Sequence, residues 1–146
     1  MENSVDSAYK TSLIKKQACF SQLTDQEIEE LASLFIEKHI PTGETIVTQG
    51  DSVDSVYLIV SGSADVRLLS IKDNAIHSES VATLGPERAI GLNETGFYSL
   101  SGLRTATVIA LSDMTLLRLS VAAFHGFALS HSHVNAVMRK ISSNML

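Results

Sequence analysis

The chain has 146 residues, 45% of them hydrophobic and 18% charged, with a net charge of −5; this is the length of one domain, apolar enough to bury a core and too apolar for a disordered tail. Its 11 Lys and Arg are scattered, adjacent only at Lys15-Lys16 and Arg139-Lys140, which speaks against a nucleic-acid footprint. The single cysteine, Cys19, excludes an internal disulfide and a cysteine-built zinc cluster; residues 1–17 carry no apolar signal core, and no apolar run approaches the ~20 residues that cross a bilayer, so a cytoplasmic protein without a membrane partner is expected.

In chain order, a first helix is expected around residues 5–16. Thr24 and Glu27 have the spacing of a capping box, in which the cap hydroxyl takes the amide three residues on and the glutamate reaches back. Ile28, Leu31, Ala32 and Phe35 follow at helical spacing, which predicts a helix over about 25–37. Pro41-Thr42-Gly43 punctuates the chain. Short strands are then read near 45–48, 55–60, 64–70, 76–84, 105–110 and 114–120, broken by Gly50-Asp51, Ser61-Gly62, Asp73-Asn74, Gly85-Pro86 and Ser112-Asp113. Ser120 can cap a helix over 121–129, and Val134, Val137, Met138, Ile141 and Met145 stripe one face of a terminal helix. The expected fold is mainly β with flanking helices: a sandwich, jelly roll or barrel.

The segment between the last two strand groups reads Gly85-Pro86-Glu87-Arg88-Ala89-Ile90-Gly91-Leu92-Asn93-Glu94, and after nine more residues Arg104-Thr105-Ala106-Thr107-Val108. A glycine opens a short predicted helix, and an arginine leads directly into a strand. Helix N-terminal amides carry partial positive charge, and a guanidinium adds planar, charge-assisted hydrogen bonds, so the pattern describes an anion site.

Over about residues 23–127 the chain resembles the cyclic-nucleotide-binding domain family, found in catabolite activator proteins, cyclic-nucleotide-dependent kinases and gated channels. The resemblance is carried by Pro41-Thr42-Gly43-Glu44-Thr45-Ile46 with Gln49-Gly50-Asp51, by Tyr57-Leu58-Ile59-Val60-Ser61-Gly62, by Leu84-Gly85 leading to Ile90-Gly91, by Arg104-Thr105-Ala106-Thr107-Val108 and by Phe124. It implies a double-stranded β-helix, or jelly-roll β-roll, with N-terminal helices and C-terminal hinge and lid helices. The implied division is 1–22 helical segment, 23–130 β-roll and 131–146 lid helix. It further implies a non-catalytic sensor whose small-molecule ligand is cyclic AMP or cyclic GMP, with no cofactor and no metal. The phosphate would be held by a helix N-terminus and Arg104, with Gly91, Leu92, Asn93, Thr105 and Ala106 around it. Ligand would move the C-terminal helix, where Met138 or Ile141 would touch the base.

Three features depart from that family. Leu92 stands where the family's glutamate accepts the ribose 2′-hydroxyl, and a buried hydroxyl without a partner costs about 1–3 kcal/mol; Glu94 is the candidate substitute. Gly91 and Arg104 are 13 positions apart, longer than the family's usual spacing, and Leu103 replaces the usual proline before the arginine. Thr105 leans toward guanine by the same resemblance. The alternative reading is a degenerate member that has lost nucleotide and serves as a protein-interaction module. A cupin-like metal enzyme is a third class, for which His131-Ser132-His133 and His77 offer no sufficient ligand set. An output partner is expected on a separate polypeptide, and an exposed apolar stripe on the last helix would favour a helix-paired homodimer.

Overall fold

Asp6 opens the first helix, α1 (Ser7–Lys15), by accepting the amide of Ala8, and a single 3₁₀ turn over Ala18–Phe20 follows. The computed structural model describes residues 5–93, 96–97 and 102–143. Helix α2 (Asp25–Ala32) starts at the expected capping box: the Glu27 amide donates to Thr24 Oγ1 at 3.1 Å and the Thr24 amide to Glu27 Oε1 at 2.7 Å.

Helix α2 ends earlier than its periodicity suggests. The Ser33 hydroxyl donates to the Glu30 carbonyl at 2.6 Å, and Leu34 and Phe35 bond back three residues instead of four, which unwinds the last turn. Phe35 still reaches the apolar cluster of Ile28 and Leu31, so the spacing is honoured without a helix. Residues expected to continue the helix form strand β1 (Ile36–Ile40) instead.

The strands build two four-stranded antiparallel sheets. One holds β1, β10 (Met114–Ser120), β3 (Ser55–Ser61) and β6 (Ala89–Ile90) in that spatial order; the other holds β2 (Thr45–Val47), β9 (Thr107–Ala110), β4 (Ala64–Lys72) and β5 (Ala75–Leu84). This is the jelly-roll arrangement. Asp73 and Asn74, at φ 51° and 64°, make the two-residue turn that joins β4 to β5. Strands β3 and β10 are buried on both faces. Val56, Leu58, Leu117 and Leu119 face a helical cluster with Leu13, Ile14, Phe20, Leu31 and Phe124, whereas Ile59, Met114 and Leu116 face Val47, Ala64 and Val108 inside the roll. Helix α3 (Val121–Ser130) is capped by Ser120 Oγ, which accepts the Ala123 amide at 3.0 Å. No helix among the described residues is long and apolar enough to cross a membrane.

Helix α4 (Ser132–Ser143) is held inward. Val134 and Val137 are buried in the helical cluster and Met138 packs against it, so the described part of the apolar stripe lies against the molecule's own core. The rest of the stripe, Ile141 and Met145, lies outside the described side chains. His131 and His133 bind different carboxylates of α2. His131 Nε2 lies 2.5 Å from Glu30 Oε2, with its Nδ1 2.9 Å from the Phe127 carbonyl and its ring against Phe127; His133 Nδ1 lies 2.9 Å from both oxygens of Glu27.

Both ring nitrogens of His131 face acceptors, and only the imidazolium donates from both. The Phe127 carbonyl, with Glu30 beside it, therefore raises the His131 pKa above its usual value. A raised folded-state pKa adds stability that is complete below the unfolded pKa and disappears as pH climbs through the folded one. The melting temperature is expected to fall between about pH 6 and pH 8, and the slope should flatten in His131→Gln; scanning calorimetry across that range checks both.

Candidate functional site

The site begins with a stretch of main chain that is fixed from both sides. Ahead of β9, the Arg104 amide donates to the Asp51 carbonyl at 2.7 Å and its carbonyl accepts the Gly50 amide at 2.9 Å; Val53 bonds Gly102, and Ser52 bridges Leu103. With its backbone clamped, Arg104 turns its side chain inward and is only 7% exposed. Nη2 donates to the Ser55 carbonyl at 2.8 Å, with Ser55 Oγ at 3.4 Å and Asp54 Oδ1 at 3.6 Å. Asp54 is itself shared with Arg118, at 3.8 Å.

Nη1 is buried and has no hydrogen-bond partner among the described residues. Burial draws the Arg104 pKa down from its ordinary value, while Tyr57 and Asp54 push it back up; at neutral pH the group remains a cation. Gly91 stands directly against it. At φ +83° a side chain would be strained, and a Cβ built there would sit 2.7 Å from Nη1 and 3.4 Å from the Ser55 carbonyl. The missing side chain leaves room for the guanidinium.

Arg104 and Gly91 form part of the wall of a cavity of about 630 Å³, within the range of small-molecule sites. Leu92, Thr105 and Ala106 line it too, together with Val47, Val66, Leu84 and Val108. Five of the residues singled out in the sequence thus converge. Leu92 is 7% exposed and also belongs to the helical cluster. Asn93 lies in strand β7 (Leu92–Asn93), and its side chain, like all of Glu94, is outside the described residues. Met138 packs on the helical cluster and is not among the described residues lining the cavity, whereas Ile141 lies in α4 with its side chain outside the description.

The short helix expected after Gly91 is replaced, over the described residues, by an antiparallel pairing of β7 with β8 (Gly96–Phe97). The positive φ of Gly91 turns the chain, and burial of Leu92 then fixes it in an extended conformation. No helix N-terminus faces Arg104 from residues 91–93. The sequence reading missed Gln17, Ala18 and Arg88, which also line the cavity. Arg88 was visible within the glycine-flanked segment. Gln17 carried no signal, because it meets this segment only through a contact across 70 positions.

Cys19 gives the site no nucleophile: its thiol is buried, which pushes its pKa up to about 12. Among the described residues no cluster of three or more His, Cys, Asp or Glu is placed to hold a metal ion.

Residues 37–131 match the family model of the cyclic nucleotide-binding domain. A Pycsar effector protein of Xanthomonas perforans is 31% identical over 88 residues, covering 60% of this chain and 26% of that protein, so the chain spans about a quarter of that relative's length. The N-terminal domain of a transcriptional regulator from Streptomyces coelicolor shares the fold at a TM-score of 0.76 and 24% identity, covering 91% of this chain and 88% of that one. The regulatory domain of Toxoplasma gondii PKA, solved with cAMP, does so at 0.70 and 20%, covering 85% and 46%.

Gly91→Ala is expected to cost about 1–3 kcal/mol, because it sets a Cβ in a left-handed conformation against the arginine. Urea denaturation measures the loss, and an unchanged midpoint would show that Arg104 does not need the space.

Proposed function

The chain belongs to the cyclic nucleotide-binding domain family, and on that premise we propose that it is a receptor for a cyclic nucleotide, cyclic AMP or cyclic GMP, acting by binding and not by chemistry. The observation that carries this reading is the buried Arg104 Nη1, which has no partner among the described residues and lies against Gly91 on the cavity wall. Taking a cation out of water costs several kcal/mol unless something repays it, and a phosphate diester is a planar-donor match of the right charge. Because β7 and β8 are extended, phosphate attraction rests on the guanidinium and on main-chain amides, without a helix dipole from the described residues.

Leu92 supplies a route from ligand to lid. It follows Gly91 directly, lines the cavity and shares the helical cluster with Val134 and Val137 of α4. A ligand that presses on residues 91–92 would shift a side chain packed in the same cluster as the terminal helix, and its differential contact with two helix positions would move the balance between them. The match to part of a longer effector supports a sensor that reports to an output unit, in its own chain or in a partner.

One observation favours a second reading. Leu92 is apolar and buried where a ribose acceptor would be expected, which suits a roll that has given up nucleotide and binds protein instead. Thermal denaturation with millimolar cyclic AMP and cyclic GMP separates the two. Ligand at 100 times its dissociation constant adds about 2.7 kcal/mol, a clear rise in melting temperature. Arg104→Met should lose that rise while the ligand-free protein keeps its melting temperature, since methionine fills the space without a buried charge. Absence of any shift in the parent protein leaves the interaction module standing.

A further inference from the structure

The same cavity has a second polar edge, remote in sequence from Arg104. Glu87 adopts φ +76°, rare for a residue with a side chain. Every polar group of Glu87 is tied down. Its amide donates to the Ile59 carbonyl at 2.8 Å, its carboxylate meets Lys16 Nζ at 2.9 Å, and its carbonyl accepts Gln17 Nε2 at 3.2 Å. The turn over 85–88 is thereby pinned to the segment after α1, and both reach the cavity wall.

Gln17 is held in one orientation. Its Nε2 donates to the carbonyls of Leu13, at 3.1 Å, and Glu87. Carbonyls only accept, so the amide nitrogen must face them and Oε1 must face away; Oε1 accepts no hydrogen bond among the described residues. Arg88 stands beside it, with its main chain bonded to Gly85 and Ile59 and its guanidinium unpaired among the described residues. Arg88 and Gly91 lie three positions apart with Ala89 and Ile90 of β6 between them, a reach of about 10 Å along the chain. That leaves a phosphate at Arg104 and a base at the other edge of one cavity.

We propose, resting on the cyclic-nucleotide reading, that Gln17 and Arg88 select the base: Gln17 Oε1 accepts an exocyclic amino N–H while Arg88 donates to the adjacent ring nitrogen. The ligand is then a cyclic nucleotide whose base carries an amino group beside N7. Adenine fits, since its N6 donor adjoins its N7 acceptor, whereas guanine presents two acceptors on that edge and sets O6 against the Gln17 oxygen. The selection comes from the N-terminal segment and the turn before the phosphate site.

Calorimetric titration of the full chain with cyclic AMP, cyclic IMP, cyclic GMP and 7-deaza cyclic AMP tests this. Cyclic IMP differs from cyclic AMP chiefly in exchanging the amino donor for a carbonyl acceptor. The wild type should bind cyclic AMP about 10-fold or more tighter than cyclic IMP or cyclic GMP. Gln17→Ala should bring cyclic AMP and cyclic IMP to similar affinities, weakening the first and relieving the second of an oxygen facing an oxygen. Arg88→Ala should weaken cyclic AMP but not its 7-deaza analogue. Melting curves of the unliganded variants, expected to stay cooperative, guard against a folding defect. Equal binding of cyclic AMP and cyclic IMP by wild type, or an equal loss of both in Gln17→Ala, overturns the base selection alone. Binding of none of the four removes the receptor reading, and the base selection with it.

Discussion

A guanidinium buried inside a β-roll, with one nitrogen unpaired among the described residues, is costly, and much of the local structure exists to keep it there. The loop from Gly50 to Asp54 holds the Arg104 main chain by two hydrogen bonds, Ser55 takes one guanidinium nitrogen, and Gly91 withdraws its side chain from the other. These pieces come from three separate stretches of sequence. They meet because β3 begins at Ser55, β6 ends at Ile90 and β9 begins at Thr107, so sheet pairing brings their ends to one wall of the roll. Replacing such a cation with an apolar residue of similar size is often neutral or stabilising. A buried cation at the cavity wall is suited to a guest that carries negative charge.

The cavity and the terminal helix share a physical link. Strands β3 and β10 are buried on both faces, so the roll interior and the helical cluster are two sides of the same strands. Leu92 belongs to the cavity wall and to that helical cluster at once. Close-packed interiors transmit displacement and do not absorb it. Helix α4 is additionally fastened through His131 and His133 to Glu30 and Glu27 of α2, which places its attachment on histidine–carboxylate contacts and its apolar face in the core.

Local chemistry made much of this legible from the sequence. The capping box at Thr24 and Glu27, the Asp73-Asn74 turn and the Ser120 cap each act within a few residues, and each appears where expected. The meeting of Arg104 and Gly91 on one cavity wall agrees with the glycine-flanked segment that leads to an arginine entering a strand. The end of α2 was not, since Phe35 stays in helical phase while the backbone has already left the helix at Ser33. Strand β1 was hidden for a related reason: it gains its order from pairing with β10, over 70 positions away, and Ile36 is 56% exposed, so it shows no inward alternation. Gln17 lay beyond reach because its role depends on a hydrogen bond to the turn at Glu87.

The replacement of a helix by a hairpin after Gly91 changes what an anion would feel. A helix N-terminus offers several amides and a dipole worth roughly half a unit charge. A two-stranded ladder offers amides already engaged in pairing, with strand dipoles that largely cancel. The attraction for a phosphate then falls mainly on Arg104, whose burial strengthens each interaction it makes by excluding water. Arg88 adds positive charge on the same wall, while the nearby Glu87 carboxylate is neutralised by Lys16. The cavity thus keeps a net positive lining in a chain whose overall charge is −5, and it does so by pairing away the one acidic side chain among its described lining residues. An anionic guest would meet a local field opposite in sign to the protein as a whole, which is the arrangement that concentrates small anions at a site without making the surface sticky to nucleic acid.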